Sequence, residues 1–154
     1  MLDGETLAER GHRVLGEAFE RVIAVGKKSD ALPLPFPVLD DGSDERAAII
    51  GLAAALRLSR AELNVVLPTD MPFVPAGLLR ELAEAASGVD AAVVQTGPFP
   101  GAYRRSALAV FERRIAAEEL VLRDALNELS TRVIEADVDL LRNVNTPADL
   151  VGRA

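Results

Sequence analysis

Short apolar runs alternate along this chain with longer helical segments, and this alternation constrains the fold more than any other feature of the sequence. The runs that predict buried strands are 21–26, 38–39, 64–67, 91–94 and 132–136. Apolar residues at helical spacing predict helices over 7–19, 45–58, 75–87, 106–118 and 121–129. Strands that alternate with helices form βαβ units with right-handed crossovers. The sequence therefore predicts an α/β fold whose mainly parallel sheet is covered by helices on both faces.

Turn-forming residues predict where several of these elements begin and end. Glycine and proline residues predict a loop over 97–101. Ser43 or Asp44 is expected to cap the helix that begins at Glu45. Thr146, which is followed directly by a proline, is expected to open a last short helix.

Charge and composition exclude several classes of protein. The 154 residues include 17 Lys and Arg against 24 Asp and Glu, a net charge of -7, which disfavours nucleic acid as a partner. The chain has no cysteine, so it forms no disulfide, thiolate zinc site or iron–sulfur cluster. Residues 1–6 lack the basic and apolar parts of a signal peptide, and no apolar run is long enough to span a bilayer. We therefore expect a single cytoplasmic domain over residues 1–154 that has no membrane partner.

Polar side chains directly follow predicted strands, at the sheet edge where α/β proteins bind their ligands. Thr69 and Asp70 follow the strand 64–67. A carboxylate there suits Mg²⁺, which combines one or two protein carboxylates with water and phosphate oxygens, but capping of the next helix explains Asp70 equally well. Asp40 and Asp41 follow another strand, where they accept hydrogen bonds from a base or ribose or simply form an acidic turn before a helix.

Asn143 and Asn145 form a third polar site. They are alternate residues, so both amides face one side of an extended segment and can meet phosphate or metal-bound water, while turn stabilisation is an equal alternative. Arg104, Arg105 and Arg142 are the nearest basic residues to these loops. Their guanidinium groups either offset phosphate charge or remain solvated on the surface.

Two segments of the chain resemble one known family. Residues 67–74 read LPTDMPFV and residues 143–150 read NVNTPADL. Both resemble motifs of the nucleotidyltransferases that make the molybdenum cofactor dinucleotide, the molybdopterin guanylyltransferase-like family, and the order of elements from Leu2 to Leu150 fits as well. The resemblance implies a Rossmann-like three-layer nucleotidyltransferase fold. It also implies the transfer of GMP from GTP to molybdopterin with release of pyrophosphate, and Mg²⁺ as cofactor.

The resemblance implies roles for particular residues. Asp70 is expected to bind the metal and to act in catalysis. Asn143 and Asn145 are also expected to act in catalysis and to line the triphosphate and acceptor region. The residues expected in the nucleotide site by their matched positions are Asp40, Gly51 and Thr69.

A third segment resembles the family more weakly. Residues 98–105 are similar to the loop that faces the pterin substrate, so the resemblance makes Tyr103 and Arg104 the candidate substrate-binding residues. Ala47 and Ala48, in contrast, replace the glycine and proline of a GPLAG-like turn in the family. This replacement weakens the inference of guanine selectivity and leaves a related cytidylyltransferase of the same pathway as an alternative.

The sequence also departs from the family at its beginning. In the family, a strand and a glycine-rich loop of the form LAGGxSxRMGxDK precede the segment that residues 2–7 resemble, and this loop does not occur here. The resemblance places that strand in the middle of the sheet beside residues 64–67, and without it a strand edge is open to another chain. One hypothesis is that Met1 is an internal position of a longer protein. The chain by itself, as a monomer or a homodimer, is then a weak or inactive transferase, and a non-catalytic pterin- or nucleotide-binding module is a further alternative.

Overall fold

A computed structural model describes residues 2–26, 34–43 and 45–144. Its helices are α1 (Leu7–Ala18), α2 (Ala48–Ser59), α3 (Ala76–Ala85), α4 (Leu108–Ala116) and α5 (Leu122–Leu126). Its strands are β1 (Ala24–Gly26), β2 (Val38–Asp40), β3 (Leu63–Val66), β4 (Ala91–Val94), β5 (Gly97–Arg104) and β6 (Thr131–Ile134), and short 3₁₀ turns cover Arg105–Ala107 and Val138–Leu141. Over the described residues the predicted order of helices and strands is confirmed, with β5 added.

The strands form two sheets. β3, β5, β4 and β6 lie in that order in a four-stranded sheet, while β1 and β2 pair with each other in parallel. β4 and β6 are parallel, and β5 runs antiparallel to both of its neighbours. β3, β4 and β6 therefore point the same way. The sheet is therefore mixed. Three of its strands point in one direction, as expected of a mainly parallel sheet, and β5 runs in the opposite direction.

Helices cover both faces of the four-stranded sheet, as the apolar runs predict. Along β4, Ala91 and Val93 face one core cluster, which α2, α4 and α5 complete, while Ala92 and Val94 face the other, which α1 and α3 complete. Every residue of β4 is buried, which explains why this strand is a continuous apolar run without alternation. The molecule thus has three layers, and the carboxyl ends of β3, β4 and β6 lie at one edge of the sheet.

β5 is the strand that the sequence analysis does not predict. Residues 97–101, expected to form a loop, begin this strand, which lies in the interior of the sheet. Its pairing with β4 jumps from Gly101 to Gly97 between consecutive β4 residues, so 98–100 form a bulge outside the ladder. Prolines are tolerated at a bulge because no ladder hydrogen bond needs the N–H group that they lack.

α2 begins later than expected. The helix starts at Ala48, and its N-cap residue, Ala47, offers no side-chain hydrogen bond to the first turn. The hydroxyl oxygen of Ser43 accepts a hydrogen bond from the N–H group of Glu45 (3.1 Å), which lies before the helix. The expected capping by Ser43 is therefore wrong, since its hydroxyl stabilises a local turn; Asp44 lies outside the described residues.

Two further expectations concern a last helix that begins after Thr146 and the presence of a membrane-spanning segment. The helix that Thr146 was expected to open lies outside the described residues. Among the helices that the structure describes, none is long and apolar enough to cross a membrane. α1 and α2 have 12 residues each, whereas a spanning helix needs about 20.

Candidate functional site

A cavity of about 1180 Å³ opens between the two sheets. The edge of β1 and the edge of β3 form two of its walls, and α1 and α2 line it as well. Within the described residues no strand pairs with either of these edges, and the cavity lies beside residues 64–67, where the resemblance places a further strand. Most of the wall is small or apolar, including Ala8, Gly11 and Leu15 of α1 and Gly51, Leu52 and Ala55 of α2.

The carboxyl end of the sheet supplies the polar part of the cavity wall. Thr69 and Asp70 follow β3, Asn143 follows the 3₁₀ turn after β6, and all three line the cavity. Thr69 and Asn143 are exposed, and Asp70 is partly buried. The structure thus brings three of the predicted site residues to the sheet edge where α/β proteins bind ligands. Asn145 lies outside the described residues.

One backbone hydrogen bond joins the two segments that carry the family resemblance. The N–H group of Val144 donates to the carbonyl oxygen of Asp70 at 2.7 Å. Val144 is buried, with 7% of its surface exposed. Because the two residues are distant in the sequence, this contact exists only in the folded chain. It holds Asn143 beside residues 67–74, which we call the Asp70 loop.

Buried and stacked side chains hold the Asp70 loop against the core. Met71 and Val74 are buried, with 5% and 2% of their surfaces exposed, in the cluster that α1 and α3 cover. Phe73 lies under the guanidinium group of Arg142, whose central carbon is 5.6 Å from the ring centroid. A cation at this distance from an aromatic face is stabilising. Arg142, a candidate phosphate ligand from the sequence, is therefore in contact with the loop that carries Asp70.

The carboxylate of Asp70 has the chemistry that a magnesium site requires. Its side chain makes no hydrogen bond or ion pair with residues 2–26, 34–43 or 45–144. Across that same part of the chain, no group of three or more His, Cys, Asp or Glu side chains is placed to enclose a metal. Mg²⁺ needs no such cage, because it keeps several waters and adds substrate phosphate oxygens to one or two carboxylates. The oxygen donors at this edge therefore fit Mg²⁺ that binds together with a phosphorylated ligand.

Gly51 and Asp40 lie at different positions relative to the cavity. Gly51 is part of α2 and lines the cavity, and apart from its neighbours and the backbone of α2 no atom lies within 4 Å of the position that a Cβ would take. Asp40 ends β2 opposite Gly26 and is exposed, but it is not part of the cavity wall. The next residue, Asp41, is buried, and its carboxylate accepts a hydrogen bond from the N–H group of Ser43 (3.0 Å). Of the three expected nucleotide-site residues, Gly51 and Thr69 lie on the cavity wall and Asp40 does not.

Tyr103 and Arg104, the candidate substrate-binding residues, make packing and hydrogen-bond contacts in this structure and do not line the cavity, and their role in substrate binding stays a prediction. Tyr103 is completely buried, and its hydroxyl group donates to the carbonyl oxygen of Pro98 at 2.6 Å. Burial raises the pKa of this phenol far above its ordinary value, so it remains a neutral donor. The guanidinium group of Arg104 donates to the carbonyl oxygens of Ala86 and Val89 at 3.0 to 3.2 Å, just after α3.

The sequence analysis does not assign His12 and Phe36, two aromatic residues of the cavity wall, to the candidate site. His12 of α1 stacks on Phe36, with ring centroids 4.2 Å apart and an angle of 11° between the planes. Both residues line the cavity. Helical spacing places His12 at the boundary of the apolar face of α1, but no pattern in the sequence relates it to Phe36. The stack is a tertiary contact between a helix and the segment before β2, so only the structure reveals it.

Comparison with protein families gives a match over most of the chain. The family model described as the MobA-like NTP transferase domain matches residues 1–133. A protein of Flavobacterium johnsoniae described as a probable molybdenum cofactor guanylyltransferase is 30% identical, and the match covers 84% of this chain and 72% of the relative.

Solved structures share the fold over nearly the whole chain. Molybdopterin-guanine dinucleotide biosynthesis protein A from Archaeoglobus fulgidus is similar with a TM-score of 0.79 at 25% identity, over 99% of this chain and 85% of that chain. The 2-C-methyl-D-erythritol 4-phosphate cytidylyltransferase from Thermus thermophilus has a TM-score of 0.76 at 19% identity, over 98% and 88% of the two chains. These similarities confirm the α/β fold that the sequence predicts.

Proposed function

Because the chain belongs to the MobA-like NTP transferase domain family, we propose that it acts in molybdenum cofactor biosynthesis as a guanylyltransferase. In this reaction GMP passes from GTP to molybdopterin, and pyrophosphate is released. The family supports nucleotidyl transfer, and the descriptions of the F. johnsoniae and A. fulgidus proteins support the pathway. A protein without cysteine suits a reducing compartment, so we propose a cytoplasmic enzyme, as a monomer or a homodimer.

The observation that carries this proposal is the hydrogen bond between Val144 and Asp70. It joins the two segments that resemble the family and places Asp70 and Asn143 on one wall of the cavity. A carboxylate and an amide at this edge provide the two kinds of group that a metal-bound triphosphate needs, an oxygen ligand and an uncharged donor.

The chemistry is a substitution at phosphorus. A phosphate oxygen of molybdopterin forms a bond with the α-phosphorus of GTP, the bond from that phosphorus to the β-phosphate oxygen breaks, and pyrophosphate leaves with its electron pair. Such a step depends on in-line positioning and charge neutralisation more than on covalent help from the protein. Mg²⁺, when bound, supplies positive charge to the phosphate oxygens.

The chain's own residues position the reactants. The carboxylate of Asp70 binds the metal, and the hydroxyl group of Thr69 and the amide of Asn143 donate to phosphate oxygens. Asn145, outside the described residues, acts beside Asn143 in this proposal. The open space above Gly51 leaves room in the cavity for the base, since no side chain fills it there.

Cytidylyl transfer is the second candidate function. The T. thermophilus structure shows that the same fold exists in a protein described as a cytidylyltransferase. In this chain the N-terminus of α2, next to Gly51, begins with Ala47 and Ala48 where the family has glycine and proline. The choice of base is therefore an outcome that the experiment must decide.

Binding of GTP and of CTP in the presence of Mg²⁺, measured by calorimetry at fixed ionic strength, tests the proposal. We expect saturable GTP binding that exceeds CTP binding. Asp70→Asn is expected to weaken it by about 10- to 100-fold, because the carboxylate holds the metal. Glu81→Gln is the matched control, since Glu81 is an exposed carboxylate on α3 that does not line the cavity.

Each outcome of this experiment has a definite meaning. Tighter binding of CTP than of GTP favours the cytidylyltransferase. Binding that Asp70→Asn leaves unchanged contradicts the metal site. If neither nucleotide binds, this chain does not form the nucleotide site by itself, and the non-catalytic binding module becomes the better description.

A further inference from the structure

We propose that Arg10 of α1 is a positioning residue for the Asp70 loop, which holds the metal-binding carboxylate in place. The inference rests on the proposed function, because it assigns a support to the site residue Asp70. It concerns a residue that the sequence analysis does not select and that is not part of the cavity wall.

The contact that carries the proposal is between Arg10 and the backbone of the Asp70 loop. The Nε–H group of Arg10 donates to the carbonyl oxygen of Pro72 at 2.6 Å. Pro72 is buried, and a buried carbonyl without a partner is costly. A hydrogen bond from a charged donor is shorter and stronger than one between neutral groups. Arg10 therefore gives this part of the loop a strong tie to α1.

The guanidinium group is itself held in this orientation from its other side. Arg10 lies 3.5 Å from the carboxylate of Asp3 and 3.9 Å from that of Glu5, and 22% of its side chain is exposed. Backbone hydrogen bonds of 2.8 and 3.1 Å between Leu2 and Glu5 close the turn that carries these acids. Gly4 in that turn has a φ of 82°, which glycine adopts without strain. Both acids thus lie against the same outer nitrogen, Nη1, while Nε faces the loop.

The backbone of the Asp70 loop is therefore tied at two points, one on each side of the buried residue Met71. Val144 donates to the carbonyl oxygen of Asp70, and Arg10 donates to that of Pro72. Met71, between them, is buried with 5% exposed. Metal ligands must be held close to their productive geometry for tight binding. Removal of the Arg10 tie leaves the hydrogen bond from Val144 and the packing of the loop's apolar side chains to hold Asp70.

Arg10→Gln and Arg13→Gln form a matched pair that tests this inference. Arg13 lies on the same helix, and within the described residues its hydrogen bonds and ion pairs join it to Glu5 and Glu17 rather than to the Asp70 loop. The first measurement is hydrogen exchange at the amides of Met71 and Phe73. We expect exchange to be about 10-fold faster in Arg10→Gln, the effect of losing one charged hydrogen bond, and to be unchanged in Arg13→Gln. Equal exchange in the wild type and Arg10→Gln overturns the proposal.

The second measurement is the Mg²⁺ concentration needed for half-maximal nucleotide binding. We expect this Mg²⁺ concentration to rise about 10-fold in Arg10→Gln and to stay constant in Arg13→Gln. In Arg10→Lys it should rise less, because lysine keeps the positive charge but lacks the several N–H donors of the guanidinium group. Equal loss in both Gln variants, together with an equal loss of thermal stability, shows a purely structural role and overturns the proposal. If the wild type binds no nucleotide, the proposed function fails, and the exchange measurement still decides whether Arg10 positions the loop.

Discussion

Several arginine side chains of this protein bind backbone carbonyl groups at the ends of helices. Arg105 donates to the carbonyl oxygen of Leu56 at 2.7 Å, in the last turn of α2, and Arg104 does the same just after α3. The last carbonyl groups of a helix have no partner within it. The sequence shows these arginines near candidate site loops but does not show their acceptors, which are distant in the chain. The sequence alone therefore does not distinguish an arginine that stabilises the fold from one that binds phosphate.

The position of Tyr103 predicts the effect of removing its hydroxyl group. Tyr103→Phe should lower the free energy of unfolding by about 1 to 2 kcal/mol, because the carbonyl group of Pro98 loses its donor. Nucleotide binding should not change, since Tyr103 is buried away from the cavity wall. Urea denaturation and calorimetry measure the two quantities. Unchanged stability together with weaker binding of pterin or nucleotide would contradict this account and support the expected role of Tyr103 in substrate binding.

The sequence predicts a helix or strand correctly where only one residue pattern applies to that segment. The apolar run 91–94 forms β4 with the expected bounds, and polar residues after β3 and β6 meet at one edge of the sheet because parallel strands end together. Prediction fails where two patterns compete. Glycine and proline in 97–101 indicate a turn, while the bulge that tolerates them depends on pairing with β4. The same dependence on tertiary contacts explains why the burial of Tyr103 was not foreseen.

The bulge of β5 leaves little space beside Gly101, which gives a prediction for the element. A Cβ at this position would lie 2.5 Å from the carbonyl oxygen of Pro98 and 2.8 Å from a ring carbon of Tyr103. Gly101→Ala should therefore destabilise the protein by about 2 kcal/mol or more. Gly77→Ala is the control in α3, where apart from the backbone of the helix and the neighbouring residues no atom lies within 4 Å of the new Cβ. It should raise the free energy of unfolding by about 0.5 to 1 kcal/mol. Denaturant titration of both variants measures these changes in the free energy of unfolding. A Gly101→Ala protein as stable as the wild type would contradict this account of the bulge.

The charge distribution makes the whole molecule sensitive to acid. Hydrogen bonds from arginine side chains lower the pKa of Glu5 and the pKa of Glu128. A hydrogen bond from the backbone N–H group of Ser130 lowers the pKa of Asp90, which joins the starts of β4 and β6. Each carboxylate therefore releases its proton more readily in the folded chain than in the unfolded chain. Folding is favoured where these groups are charged.

The free energy of unfolding should accordingly fall as the solution is acidified. The stabilisation is fully present above the unfolded pKa values, about 3.9 for Asp and 4.3 for Glu, and it disappears as the pH falls through the lower pKa values of the folded state. Asp90→Asn should show a shallower decline, because asparagine does not titrate. Urea unfolding at about pH 7 and about pH 3 measures the difference. Parallel declines in the variant and the wild type would mean that Asp90 does not contribute.

The hydrogen bond between Val144 and Asp70 also sets an order of events during synthesis. Asp70 leaves the ribosome well before Val144, so a nascent chain acquires the carboxylate before it acquires the segment that braces it. Among the described residues that line the cavity, Asn143 is the last in the sequence. An unfinished chain that ends before residue 143 therefore lacks both this hydrogen bond and the Asn143 side chain.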